Sequence, residues 1–428
     1  MKVALVFYYT KENKYSLNAL FGALEIDLEI LSQIDVFTIF EQNDLYKTLF
    51  NIVGKYKKIV LLVSFFTTQF FEIENVINNV RKNFGNKIFC IAGGAHSTGL
   101  PLSSLKLGFD IVVLGEAEEV FLKLVNKIVK DEDYLDLPSI AYFDENKNLV
   151  INKKETGFVD LDKFPPITKY FNHYGPIEIT RGCPYGCYFC QTPQIFATKL
   201  RHRSVKKICE YVEIMCSKGL FDIRFITPSL FLYGAKTAKD LNLKEIEELF
   251  KNVKKIIGSK GKFFVGTFPS EIRPEHVNKD TVELLKKYAD NDNVIIGVQS
   301  GSERILKLIN RSHTLNDVYN AVELLTKANF KVNLDFIFGL PYETKDDVIE
   351  TLNFIDSLLT KYNVRIHAHY FIPLPATKFQ NFLPKDSFEM YNQFFKKLKN
   401  KNIVYGNWVK QREYSFILKK IFENYMCV

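Results

Sequence analysis

What most constrains this chain is a repeated alternation of short, wholly apolar runs with amphipathic stretches. In the first third the apolar runs are "KVALVFYY" (2–9), "DVFTIF" (35–40), "KKIVLLVSFF" (57–66), "KIFCIAGGAH" (87–96) and "FDIVVLGEAE" (109–118). Between them lie helix-like segments at 16–31, 42–54 and 70–84, the last with Ile73, Val76, Ile77 and Val80 on one face. Strands apolar on both faces, separated by helices, predict a parallel sheet covered on each side. The expected first domain is therefore a flavodoxin/Rossmann-like, doubly wound sheet over residues 1–132. Ligands of such sheets sit beyond the carboxyl ends of the strands. Ser64, Thr67 and Thr68 fall there, with Gly93, Gly94 and His96 after the fourth run and Gly115 and Glu116 after the fifth. Those glycines serve either a ligand-binding turn or a plain tight turn. Neither GxxxxGK[ST] nor G-x-G-x-x-G follows the first strand, so the turns are not a nucleotide P-loop or a dinucleotide fingerprint.

Residues 133–174 read as a linker with a hairpin, "LPSIAYFDENKNLVINKKE", followed by the proline-bearing "LDKFPPITKYFNHYGP". A second alternating series then begins, with strands expected at 176–181, 222–229, 262–269, 293–301, 331–341 and 365–375. Helical patterns at 243–257, 279–290, 302–310, 314–329 and 344–361 separate them. Six such units predict an open (β/α)6, TIM-like partial barrel over 175–375, whose function gathers at the carboxyl ends of its strands. Residues 376–428 read as a small helical carboxyl-terminal cap rich in aromatics.

A length of 428 residues exceeds one ordinary core, and a 47% hydrophobic content is that of a globular protein. The net charge of +8 is scattered in short lysine patches, which favours a solvated surface over a nucleic-acid footprint, the lesser alternative. No run approaches the ~18 apolar residues of a membrane span. "VALVFY" is too short for a signal-peptide core, so a cytoplasmic location is expected. Seven cysteines in so long a chain do not make a disulfide framework. Cys90 reads as a small buried hydrophobe, Cys209 and Cys216 as core positions of one helix, and Cys427 yields no reading. His367 and His369 alternate on the last strand, either at the barrel mouth near substrate or as a polar core pair.

Three cysteines stand together in "TRGCPYGCYFCQTP" (180–193), spaced C-x3-C-x2-C. Three thiolates can hold three irons of a 4Fe–4S cluster and leave the fourth iron open. Zinc is the lesser alternative, because His173 and His202 flank the loop without a zinc-type spacing. This spacing, with Phe189 before the last cysteine, resembles that of the radical S-adenosylmethionine (SAM) enzymes, as do "GVQSGSERIL" and "DFIFGLPYET" further on. With the amino-terminal sheet, the arrangement resembles the cobalamin-binding-domain radical SAM enzymes over about residues 1–375.

The resemblance implies a 4Fe–4S cluster on Cys183, Cys187 and Cys190, whose open iron chelates SAM and whose electron splits it to a 5′-deoxyadenosyl radical. It further implies that Tyr188 and Phe189 meet the adenine, that Gln299, Ser300 and Ser302 hold ribose or carboxylate, and that Ile337 to Gly339 wall the adenine. Glu303 and Arg311 are secondary candidates, as charges on a helix are commonly solvated. The family's Gly-Gly-Glu-like stretch is replaced by "ITPSLFLYG", where Pro228 or Ser229 is the expected substitute. Thr67, Gly93, Gly94, His96, Gly115 and Glu116 become candidate cobalamin contacts. The D-x-H-x-x-G loop is absent, so cobalamin is expected with no histidine on cobalt. The implied activity is cobalamin-dependent methyl transfer to an unactivated carbon or phosphorus. Its substrate, small or macromolecular, is unspecified by the sequence, and flavodoxin or ferredoxin is the expected electron donor. The alternative is radical chemistry without methyl transfer, such as RNA methylthiolation or oxidative cyclisation. An Fe–S electron carrier ranks last, since carriers hold a cluster with four cysteines.

Overall fold

The computed structural model describes residues 2–154, 157–399 and 402–426; Cys427 lies outside them. The chain divides into two compact units, one of Met1–Gly175 with Leu374–Ala376 and Phe422–Val428, the other of Pro176–Pro373 with Thr377–Ile421.

In the first unit, strands β1 (Val3–Tyr8), β2 (Ile34–Ile39), β3 (Lys58–Ser64), β4 (Ile88–Gly93) and β5 (Ile111–Val113) form a parallel sheet in the order β2-β1-β3-β4-β5. That is the flavodoxin order. All six residues of the central β1 are buried, as expected of a strand covered on both faces. Phe7 meets Phe21 at 4.3 Å between ring centroids, and Phe121 at 6.2 Å, joining strand to helices in one aromatic core. Ile73, Val76, Ile77 and Val80 are the buried stripe of the helix Phe70–Phe84, as their spacing predicts. The hairpin expected in a linker is instead part of the sheet. Strands β6 (Ile140–Phe143) and β7 (Leu149–Ile151) add antiparallel to its β5 edge, with Ile140 and Ala141 fully buried.

The second unit opens with β8 (Ile177–Glu178) and β9 (Thr180–Arg181), and β10 (Arg201–His202) pairs antiparallel with β9 across the cysteine loop. Parallel strands β11 (Asp222–Ile226) and β12 (Lys262–Phe264) continue from β8 in the order β12-β11-β8. Strands β13 (Asn293–Gln299), β14 (Lys331–Phe338) and β15 (Val364–Tyr370) form a second parallel sheet. A bridge between Ile272 and Ile296 runs beside β13, and the Ile295 amide donates to Gly266 O after β12 (2.8 Å), which joins the two sheets into a partial barrel. Strand alternation sends Gly297, Asp335, Ile337, His367 and His369 to the lumen, while a register shift between Gly297 and Gln299 breaks the alternation at the end of β13. The carboxyl-terminal segment is more than a helical cap. Strand β16 (Val404–Tyr405) pairs parallel with β15, and the helix Phe388–Lys399 packs Tyr391 and Phe395 on Phe338. Two residues are too few for a periodic pattern, so β16 has no signature in the sequence.

Candidate functional site

The cysteine loop leaves β9 through Gly182, whose φ of +88° suits glycine and whose Cα approaches Lys199 so closely that a Cβ would lie 2.1 Å from the carbonyl oxygen. Backbone bonds then pin it: Cys183 N to Ala197 O (3.1 Å), Cys190 N to Cys187 O (3.1 Å) and Tyr188 N to Ile309 O (3.1 Å). The Asn310 side chain donates to Tyr185 O and Gly186 O. Cys183, Cys187 and Cys190 thereby share one apolar pocket with Tyr185, Leu232 and Ala235. Burial pushes the Cys183 thiol up to about 11 and moves Cys190 the same way. These thiols shed their protons readily only to a metal.

The three sulfurs do not converge on a point the size of one ion. Among the described residues, only Asp335, His367 and His369 bring three donor atoms within 4.8 Å of one another. Tetrahedral zinc would hold its thiolates about 3.8 Å apart, from a Zn–S length of ~2.3 Å. The wider spacing fits a polynuclear cluster. Beside it, Arg311 donates from Nη1 to Cys187 Sγ at 3.6 Å and from Nη2 to Gly297 O, while its buried Nε has no partner among the described residues. Arg311 is not a solvated helix charge, because the helix Glu303–Leu308 ends before it and the loop turns its guanidinium inward. Arg273 stacks on Tyr185 at 3.4 Å, and the Tyr185 hydroxyl meets His276 Nε2 at 2.6 Å. An orphaned buried guanidinium nitrogen beside three thiols, one buried and two half-buried, fits an Fe–S cluster with an anionic ligand near it.

The remaining candidates for SAM divide. Tyr188, Phe189 and Ile337 meet in one apolar cluster with Leu340 and Phe371. Gly339 follows on β14 with φ +72°, and a Cβ there would meet the Tyr370 ring at 2.5 Å. Phe338 belongs to the core. Gln299 Nε2 and Arg311 Nη2 both lie against Gly297. Ser300 and Ser302, expected to hold ribose or carboxylate, are instead buried against the helix Lys345–Lys361, Ser300 Oγ on Thr351 (3.4 Å) and Ser302 Oγ donating to Asp347 (2.8 Å). Burial opposes ionisation of Asp347, but Arg304, Thr344 and Ser302 outweigh it and hold the carboxyl far below its usual range. Glu303 is likewise structural, accepting from Leu315 N at the start of the next helix (2.7 Å). Ser229 is buried at the end of β11, 3.5 Å from His276 Nδ1, so His276 links it to Tyr185 of the cysteine loop.

In the sheet unit, Gly94 has φ +89° and sits so close to β3 that a Cβ would meet Phe65 N and Ser64 Oγ at 2.7 Å, which accounts for the glycine without a ligand. A Cβ at the neighbouring Gly93 would meet only Val113 O, at 3.9 Å. His96 is fully buried, with Nδ1 3.1 Å from Thr67 Oγ1 and Nε2 2.8 Å from Ser103 Oγ. It is therefore a core residue and not a side chain at the edge of a cleft, and burial pushes it down to about 3. Gly115 N donates to Thr98 Oγ1 at 3.0 Å, and Glu116 is half-buried at the same edge. Asn13, unmarked in the sequence reading, staples that edge together. Its amide donates to Tyr8 O and Ser64 O (2.9 Å each), and its oxygen accepts from Thr10 N. Glu271 was equally illegible: burial, then the charge of Asp335, pushes its carboxyl up to about 7.

A flavodoxin-ordered sheet unit, an open parallel barrel and a three-thiol loop at the barrel's first strand make up the fold and its candidate site. Residues 177–355 match the radical SAM superfamily. The fold is shared with the radical SAM methyltransferase TsrM of Kitasatospora setae, solved with cobalamin and a [4Fe–4S] cluster (TM-score 0.69, 15% identity, 89% of this chain and 74% of that one). It is shared too with the cobalamin-dependent radical SAM enzyme OxsB, solved with aqua-cobalamin and SAM (TM-score 0.66, 18% identity, 100% of this chain and 62% of that one). In sequence, a putative methylthiotransferase of Methanocaldococcus jannaschii is 28% identical over 358 residues, covering 80% of this chain and 75% of the relative. No helix of the described residues is long and apolar enough to cross a membrane.

Proposed function

We propose that this radical SAM enzyme is a cobalamin-dependent methyltransferase acting on an unactivated carbon or phosphorus. The observation that carries the reading is the intact β2-β1-β3-β4-β5 sheet unit preceding the three-thiol barrel. Cys183, Cys187 and Cys190 would hold the 4Fe–4S cluster, and Tyr188, Phe189, Ile337 and Gly339 would bound the adenine of SAM. Arg311 would pair with the SAM carboxylate and stabilise charge next to Cys187, while Gln299 offers an amide on the same side. Thr67, Gly93, Gly94, Gly115 and Glu116 mark the sheet edge where cobalamin would lie. His96 has both ring nitrogens in hydrogen bonds, which supports a cobalt without a histidine ligand. Once bound, the reduced cluster supplies the electron that cleaves SAM and cobalamin supplies the methyl group. A cytoplasmic flavodoxin or ferredoxin would serve as electron donor.

The second reading, radical chemistry without methyl transfer, has the likeness to a putative methylthiotransferase in its favour. Against it, sulfur insertion needs a held sulfur source, and among the described residues the sheet unit offers only Cys90. That thiol is sealed within β4, where burial drives it up to about 12. Anaerobic reconstitution with iron, sulfide, cobalamin, SAM and a reductant separates the readings. S-adenosylhomocysteine together with methylated cobalamin is the expected result. 5′-Deoxyadenosine alone, with no retained cobalamin, would transfer the assignment to the second reading.

A further inference from the structure

The barrel lumen holds a second constellation, separate from the residues assigned above to the cluster and to SAM. Asp335 on β14 pairs across the sheet with His367 on β15, and His369 follows two residues on, on the same face. Asp335 Oδ1 lies 2.9 Å from His367 Nδ1, which in turn lies 3.1 Å from His369 Nε2. One imidazole nitrogen carries either a proton or a lone pair. His367 Nδ1 therefore cannot donate to the carboxylate and accept from His369 at the same time, so hydrogen bonding alone serves both contacts only by sharing one Nδ1 proton between Asp335 and His369. A shared cation satisfies all three donors. Ligands ~2.1 Å from a metal, at angles between octahedral and tetrahedral, stand about 3.0–3.4 Å apart; two of the three pairs here stand at 2.9 and 3.1 Å, and all three atoms lie within 4.8 Å of one another. The site is also held in place: His367 stacks on Tyr405 of β16 at 4.5 Å between centroids and 5° between planes, and Asp335 is buried.

We propose that Asp335, His367 and His369 form a mononuclear site for a divalent first-row transition-metal ion, with open coordination positions facing the barrel lumen. Two imidazoles and one carboxylate suit zinc, iron(II) or cobalt(II) better than magnesium or calcium, which prefer all-oxygen sets. Three protein ligands leave room for an oxygen-donor group of a substrate, such as an alkoxide, carboxylate or phosphonate. This site is independent of the proposed methyl transfer, because it requires neither cobalamin nor SAM.

The test uses the full chain carrying Cys183→Ala, Cys187→Ala and Cys190→Ala, so that no cluster iron is counted, titrated with cobalt(II). One equivalent of cobalt with visible ligand-field bands and no thiolate charge-transfer band is expected. Adding His367→Ala or His369→Gln should abolish the bands, and the isosteric Asp335→Asn should weaken binding about tenfold or more, the usual scale for disturbing a metal's immediate surroundings. In parallel, wild-type protein with its cluster reconstituted should retain one zinc per chain, measured apart from iron, and His369→Gln should lose it with its iron unchanged. Absence of cobalt and zinc binding, or binding undiminished in the histidine variants, overturns the site and identifies the three residues as a hydrogen-bonded core group.

Discussion

Replacing Gly182 with alanine tests what holds the cysteine loop. Two effects add at this position. A φ of +88° costs a side-chain-bearing residue about 1–2 kcal/mol. The new Cβ would also lie 2.1 Å from Lys199 O, a backbone atom that cannot rotate aside, so the chain must open by roughly 1 Å. Together these reach about 3–4 kcal/mol, the range of a strained, overpacked core position. Gly219 supplies the control: its φ is +78°, yet a Cβ there meets nothing within 4 Å, so alanine incurs the conformational cost alone. A unit of this size loses roughly 2–4 °C of Tm per kcal/mol. Gly219→Ala should therefore lower Tm by a few degrees and keep its iron. Gly182→Ala should lower Tm by about 8–12 °C and, because the displacement reaches Cys183 directly, reduce iron and sulfide after anaerobic reconstitution. Scanning calorimetry and metal analysis on both variants provide the measurement. Equal Tm shifts with equal iron would refute the claim that the approach to Lys199 fixes the loop.

Four further outcomes are expected. Cys187→Ala should lose most cluster iron and sulfide, whereas Cys209→Ala, outside the thiol pocket, should reconstitute like wild type. Arg311→Met should raise the SAM dissociation constant by about tenfold in equilibrium dialysis, the scale of one lost charge-assisted bond, while Ser300→Ala, bonded to Thr351, should leave it unchanged. His96 is held neutral by burial, so the unfolded chain binds a proton that the folded chain refuses. The stability from this group is complete above pH ~6.5 and is lost as pH falls toward about 3, at up to ~1.4 kcal/mol per pH unit. His96→Gln should flatten that slope in urea unfolding between pH 6 and 4, and an unaltered slope would count against it. Cobalt(II) cobalamin on the protein should show no histidine nitrogen splitting in its paramagnetic resonance spectrum, and an unaltered spectrum in His96→Gln would agree.

The sequence by itself determined whatever depends on local pattern. Unbroken apolar runs identified the parallel sheet of the first unit, because strands buried on two faces admit no polar alternation. Helical spacing marked Ile73, Val76, Ile77 and Val80 as one buried face, and the three-cysteine spacing marked the loop. What depends on which surfaces meet was decided only by the tertiary structure. The hydroxyls of Ser300 and Ser302 belong to the strand–helix interface because the turn after β13 aims them at Thr351 and Asp347. Arg311 became a buried partner of Cys187 because its helix stops short of it. His96 became core because Thr67 and Ser103, from two other segments, reach its two nitrogens. The triangle of Asp335, His367 and His369 exists because parallel register sets residues 32 positions apart side by side, a distance over which the chain carries no local signal.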